Sequence, residues 1–207
     1  AILSSNIAEH ADLGSALEGP GVPCAYFDVE TFDDYLRVLK VFTGITGRED
    51  LYQQTGADVQ ARVEAAIARK EGREAPTVLF LRAYSTGVRA KGSDNMTGEM
   101  LKDLGCINIA DSEDSLLEDL SLEVILEQDP DFIFVTTMGA SEEAAMASLD
   151  ELLLSNPAWA SLTAVQEGHF HLLPKDLFHL KPNARWGESY EILADYQIGR
   201  ASCRERV

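Results

Sequence analysis

The chain has 207 residues, of which 45% are hydrophobic and 25% charged, an ordinary globular composition with enough apolar material for a sizeable core. Its formal net charge of −18 repels phosphate and anionic lipid, which argues against nucleic acid as a partner and against electrostatic adhesion to membranes. No run of about 18 apolar residues occurs to span a bilayer, and the lack of a secretory signal carries no information, because an upstream segment is expected to be missing.

In chain order, strand-like runs alternate with helical ones, the pattern of an α/β protein with parallel sheets. Ile2–Ser4 reads as the end of a strand, so a preceding segment is expected. A helix follows over Ile7–Leu17 with Ser5 or Asn6 as cap, then a turn at Gly19-Pro20-Gly21 and a strand over Pro23–Val29. Thr31–Thr43 is helical. From Glu49 to Lys70, Leu51, Thr55, Val59, Val63 and Ile67 recur at i, i+4 and form one apolar stripe. A helix of that length reaches about 33 Å and suits a strut. Thr77–Leu81 is a strand. Met96–Leu104 and Ser121–Glu127 are helices, with a short strand at Ile107–Ile109 between them. Phe132–Thr137 is a strand and Ser141–Leu153 a helix. Asn156-Pro157 opens a short helix, His169–Leu173 is the last strand, and Ala184–Tyr196 the last helix.

Three phrases, in this order and at these separations, resemble the siderophore, haem and cobalamin substrate-binding family of ABC importers. Gly44-Ile45-Thr46-Gly47-Arg48-Glu49 is similar to the entry of that family's interlobe helix. Leu126 to Val135, with Asp129-Pro130-Asp131, resembles its helix-to-strand junction. Asn156-Pro157-Ala158-Trp159 with Leu162, Ala164-Val165 and Gly168 resembles its P-x-W-x-x-L-x-A-V-x-x-G segment. The resemblance implies an α/β fold of two lobes with parallel sheets joined by a long rigid interlobe helix, a ligand cleft between the lobes, and no enzymatic activity. On that basis residues 1–48 are the remainder of an N-terminal lobe, 49–72 the interlobe helix, and 73–197 the C-terminal lobe with a return helix. The implied ligand is an iron(III)–siderophore, with haem second and cobalamin third. The implied partners of this monomer are the permease subunits and their cytoplasmic ATPase. The expected location is extracytoplasmic, either periplasmic or lipid-anchored on the outer face of the cytoplasmic membrane.

Ligand-binding candidates fall on three loops. In Arg82–Gly87, Arg82 offers a planar fork for a carboxylate or propionate, and Tyr84 a flat face or a phenolate for iron(III). Both also read as ordinary loop residues. In Gly92–Met96, Ser93 or Asp94 is expected to cap the next helix, while the resemblance places Asn95 and Met96 against ligand. Ser93-Asp94-Asn95 also matches a β-lactamase triplet, but no Ser-x-x-Lys or Lys-Thr-Gly accompanies it. In Leu177–Trp186, His179 is a candidate axial iron ligand for haem. Lys181 and Arg185 would hold acidic groups of a chelate, and Phe178 or Trp186 would pack on a flat one. Trp186 reads equally as core.

His169 and His171 share one strand face by alternation; with no third ligand they are read as the strand's outer face rather than a metal site. Cys24 and Cys106 are read as small buried residues. Ile2–Leu17 and Phe132–Leu149 echo one another, so that Glu9 matches Glu142 or Glu143. The resemblance makes these carboxylates docking groups for the permease; an acidic residue in a first helical turn is also favourable on its own.

Residues 198–207 break the preceding amphipathic pattern. They coincide with the in-frame translation of a common short-read sequencing adapter, so the tail, with Cys203, is expected not to be native. No GxSxG, P-loop, GxGxxG or coherent metal set supports an α/β enzyme, and a plain interaction domain is the remaining rival.

Overall fold

A computed structural model describes residues 2–4 and 8–197. The expected cap at Ser5 or Asn6, the side chain of Glu9, and the tail 198–207 with Cys203 lie outside the described residues. Contacts divide the chain into two units, Ala1–Gly56 and Ala57–Val207.

In the first unit, β1 (Ile2–Ser4) is followed by α1 (Ala8–Glu18), β2 (Ala25–Phe27), α2 (Phe32–Thr46) and α3 (Glu49–Tyr52). The two strands pair in parallel, Ile2 opposite Ala25 and Ser4 opposite Phe27, which requires the crossover that α1 supplies. Thr31 starts α2 with a complete capping box: its hydroxyl accepts from the Asp34 amide at 3.1 Å while the Asp34 carboxylate accepts from the Thr31 amide at 3.1 Å, satisfying donors that the helix leaves open. Gly47 ends α2 at φ 66°, a left-handed conformation that glycine takes without strain. Tyr35 donates from its hydroxyl to the Thr55 carbonyl at 2.6 Å.

The helix expected over Glu49–Lys70 forms as α3, a π-turn at Gln53–Ala57, and α4 (Asp58–Ala68). The π-turn re-phases the apolar stripe. Val59 and Val63 are buried as expected, but Ala66 rather than Ile67 completes the buried set.

The second unit continues with β3 (Thr77–Tyr84), β4 (Gly87–Ala90), α5 (Met96–Asp103), β5 (Ile107–Asn108), α6 (Asp114–Glu118), α7 (Leu122–Gln128), β6 (Phe132–Thr137), α8 (Glu142–Leu149), α9 (Thr163–Gln166), β7 (Phe170–Leu172), α10 (Lys175–Phe178) and α11 (Trp186–Gln197). Strand order is β4-β3-β6-β7, with β5 pairing β3. β5, β6 and β7 join in parallel, and β4 returns antiparallel from β3. Alternation along β3 and β6 divides the core. Leu79, Leu81, Ala83, Ile133 and Val135 face a cluster completed by Ala145, Leu149, Trp159, Leu162 and Ala164. Phe80 and Phe134, at alternate positions, are buried too, as are Trp186, Tyr190 and Leu193 of α11.

α11 lies along α4, held by two ion pairs. Arg62 meets Glu191 at two points, 2.9 and 2.8 Å, and Arg69 meets Asp195 at 2.5 Å. Among the described residues no helix is long and apolar enough to cross a membrane.

Candidate functional site

The carboxyl ends of β3 and β6 carry the polar groups that the hydrophobic pattern leaves over. β3 is longer than expected and runs to Tyr84. Arg82 is therefore a strand residue, and only Ser85-Thr86 form the turn into β4. Arg82 is partly buried, with its guanidinium carbon 5.7 Å from the centre of the Phe80 ring, within cation–π range. Its Nη2 donates to Asn95 Oδ1 at 3.0 Å. Its Nε is buried without a hydrogen-bond partner. In the next strand Thr136 stands in register with Arg82; it is fully buried, and its Oγ1 also has no partner. Tyr84 is half-buried at the strand end.

Asn95, rather than Ser93 or Asp94, is the cap of α5. Its Oδ1 accepts from the Gly98 amide at 3.2 Å, and its Nδ2 donates to the Gly92 carbonyl at 2.7 Å. Ser93 is engaged instead with Asp111, through its amide at 2.7 Å and its hydroxyl at 2.5 Å. Asp94 is exposed.

The last loop contributes through α10, a single turn that no periodicity announces. His179 closes it and is half-buried. Burial, followed by the positive charges of Lys175 and Arg82, holds the His179 pKa below the usual imidazole range. A neutral imidazole keeps a lone pair free to accept a proton or a metal. Lys175 reaches across to donate from Nζ to the Gly139 carbonyl beyond β6. Arg82, Asn95, Lys175 and His179 therefore gather at one end of the sheet, with Thr136 in the strand between. Lys175 and Thr136 were not legible as site residues: one lies in a four-residue helix, the other inside an apolar strand.

Other expectations are corrected. Phe178 is fully buried and Met96 is 5% exposed, so both are core side chains and neither offers a face to a ligand. Trp186 is 1% exposed and belongs to the core. Arg185 is exposed but occupied: Nε and Nη2 meet Glu188 at 2.7 and 2.9 Å, and Nη1 meets Asp176 at 2.5 Å. These carboxylates push its pKa further up and already neutralise its charge within the chain. Lys181 is partly buried.

His169 and His171 are not an open outer face. His169 stacks on Phe132 at 4.3 Å, and His171 stacks on Tyr196 at 3.9 Å and on Phe134 at 5.6 Å. Among the described residues no three His, Cys, Asp or Glu side chains are grouped to hold a metal ion. Cys24 is half-buried, whereas Cys106 is buried, accepts from Gln197 Nε2 at 2.7 Å, and has its thiol pushed up to about 12 by burial.

Glu142 and Glu143 are exposed in the first turn of α8, beyond the carboxyl end of β6. Ser141 caps this helix, accepting from the Ala144 amide at 3.1 Å. Glu9 lies in the first turn of α1.

Polar groups converge at the carboxyl ends of parallel strands, where open α/β sheets bind ligands. The chain belongs to the periplasmic binding protein family, whose model matches residues 1–177. Members are solute-binding proteins, not enzymes, and work outside the cytoplasm. Solved structures share the fold at low identity. The apo periplasmic heme-binding protein RhuT from Roseiflexus sp. RS-1 is 21% identical with a TM-score of 0.73, covering 97% of this chain and 76% of that one. IsdE of S. aureus, complexed with heme, is 16% identical with a TM-score of 0.72, covering 94% and 75%. The iron-uptake system-binding protein FeuA from Bacillus subtilis is 20% identical with a TM-score of 0.68, covering 95% and 70%. No curated protein matches the sequence.

Proposed function

We propose that the protein is the solute-binding component of an ABC importer, capturing an iron(III)–siderophore chelate and delivering it to permease subunits driven by a cytoplasmic ATPase. The carrying observation is the gathering of Arg82, Asn95, Lys175 and His179 at the carboxyl end of the β3–β6 pair. In a chain of net charge −18, this is a local positive site suited to an anionic chelate. Arg82 would hold a peripheral oxyanion of the chelate, Asn95 would keep Arg82 in place, and Tyr84 would line the ligand. The names of the similar solved proteins, which include iron uptake and heme binding, support the ligand class.

Haem is the second reading, favoured by His179. Its neutral imidazole is the group that would hold haem iron, and the cations beside it would take the propionates. Cobalamin is the third and has no specific residue in its support. Glu142 and Glu143, with Glu9, are proposed to dock on the permease, and the monomer is proposed to act either free or lipid-anchored outside the cytoplasmic membrane.

Fluorescence titration of the full chain with ferric siderophores and haemin tests this reading. Saturable quenching by a ferric siderophore is expected. A Soret band that appears with haemin and is lost in His179→Ala would place haem first. Failure of every chelate to bind would overturn the receptor function.

A further inference from the structure

We propose that the π-turn Gln53–Ala57 is a hinge, with the Tyr35 hydroxyl as its latch, so that the helical segment Glu49–Ala68 bends there when a chelate is captured. The coupling to capture rests on the receptor function proposed above; the hinge itself does not. The apolar stripe predicts one continuous helix over this stretch, and a continuous helix is a stiff rod. Instead the segment carries five residues closed by i→i+5 bonds. Such a turn is rare, wider than the α-turns on either side, and a usual place for a helix to kink.

The packing partners of the segment change within this turn. The boundary between the two contact units falls between Gly56 and Ala57. On the amino side the segment is bound to α2. Tyr35 Oη donates to the Thr55 carbonyl at 2.6 Å, and a Cβ at Gly56 would stand 3.1 Å from Leu39 Cδ2. On the carboxyl side α4 is bound to α11 through Arg62–Glu191 and Arg69–Asp195. Each flank is thus held by its own unit, and the few residues between them are left to absorb a change of angle, as hinge residues do. An i→i+5 turn holds one residue more than an i→i+4 turn, so its bonds can shift to the α register with each lost bond replaced by another. The Thr55 carbonyl marks the state. In a continuous α-helix it is taken by the amide four residues on, whereas here the Tyr35 hydroxyl reaches it. Making that bond holds the turn, and breaking it lets the register change.

Two measurements on the full chain test the hinge: hydrogen exchange read by mass spectrometry, and the distance distribution between nitroxide labels carried by noncanonical residues at the exposed positions of Lys40 and Ala61. In the free chain the amides of the turn should exchange about tenfold faster than those of α4. Tyr35→Phe should speed them about fivefold further, the worth of one hydrogen bond, and broaden the distribution. Deletion of the exposed Gln54 returns the segment to the α register with both flanks on their original faces, so it should slow exchange at the turn and narrow the distribution. Saturation with haemin or ferrichrome should shift the distribution in the native chain and not in the deletion variant. A second π-turn, Asp150–Leu154, lies within a single unit, and its exchange should not respond. A narrow distribution that neither chelate nor either variant alters would overturn the proposal, as would exchange at the turn that is unchanged in Tyr35→Phe. That variant decides alone if the deletion fails to fold. If neither chelate binds, the receptor function fails, and the hinge stands or falls on exchange and label distances in the free chain and Tyr35→Phe.

Discussion

Asn95 joins α5 to Arg82 through a single oxygen: its Oδ1 accepts both the Gly98 amide at 3.2 Å and Arg82 Nη2 at 3.0 Å. The helix cap and the orientation of the guanidinium are thus one device. Asn95→Ala should cost about 1 kcal/mol of stability from the lost cap and also lower chelate affinity. Asn95→Asp separates the two roles, because aspartate caps as well as asparagine does while placing a negative charge against Arg82. Urea unfolding should show near-normal stability for Asn95→Asp, and fluorescence titration should show weakened binding of anionic chelates. Intact affinity in that variant would contradict the role given to Arg82.

The path from sequence to this site is uneven for physical reasons. Long apolar runs such as Phe132–Thr137 are legible because every residue is buried, and α4 because its stripe has helical period. The positions of Asn95 and Thr136 depend on neighbours distant in sequence. Ser93, Asp94 and Asn95 are all good caps by propensity, and the choice fell to Asn95 because Asp111 takes Ser93. Phe178 and Arg185 read as ligand contacts because one is a flat aromatic and the other a cation in the loop that carries His179. Tertiary packing buried the first, and Asp176 with Glu188 neutralised the second. β4 is four residues long and α10 four, too short for any periodicity to register.

His171 makes stability depend on pH. Burial, with the charge of His169, lowers its pKa from 6.5 to about 4, and its Nε2 is buried without a partner. Between those two values the unfolded chain binds more protons at this position than the folded one, so stability falls as pH drops through that window and is complete above about 6.5. The loss should be about 2 kcal/mol after allowance for residual solvent screening. His171→Phe preserves the aromatic stack with Phe134 and Tyr196 without a titrating group. Unfolding at pH 7 and pH 4.5 should show a smaller loss for His171→Phe than for the native chain, and equal losses would exclude His171 as the cause.

Two glycines are fixed by close approach. A Cβ at Gly98 would collide with the carbonyl oxygen of Gly92, which is backbone and cannot swing aside. At Gly187 a Cβ would fall 2.9 Å from Cβ of Arg62, forcing α11 away from α4 and loosening the Arg62–Glu191 pair. Overpacking of this kind costs about 1–3 kcal/mol. Gly98→Ala should therefore lower the unfolding midpoint and also disturb Asn95, whose side chain bonds to Gly92, whereas Gly187→Ala should lower the midpoint with chelate affinity unchanged. Equal effects of the two substitutions on affinity would break the assignment of the site to the α5 side of the sheet.

The exposed pair Glu142 and Glu143 tests docking independently of capture. Both lie in the first turn of α8, where a carboxylate interacts favourably with the helix dipole; reversing it costs about 0.3–1 kcal/mol, too little to unfold the domain. Neither side chain contacts Arg82, Lys175 or His179 in the hydrogen bonds and ion pairs of this site. Glu142→Lys combined with Glu143→Lys should therefore leave chelate affinity and the unfolding curve nearly unchanged. Uptake of labelled chelate by vesicles carrying the permease should fall sharply if the proposed docking holds, because the reversed charges would repel whatever cations the carboxylates meet there. Glu9→Lys should act in the same direction. Restoration of uptake by a compensating acidic substitution in the permease would establish contact, while undiminished uptake by the double variant would exclude these carboxylates from docking.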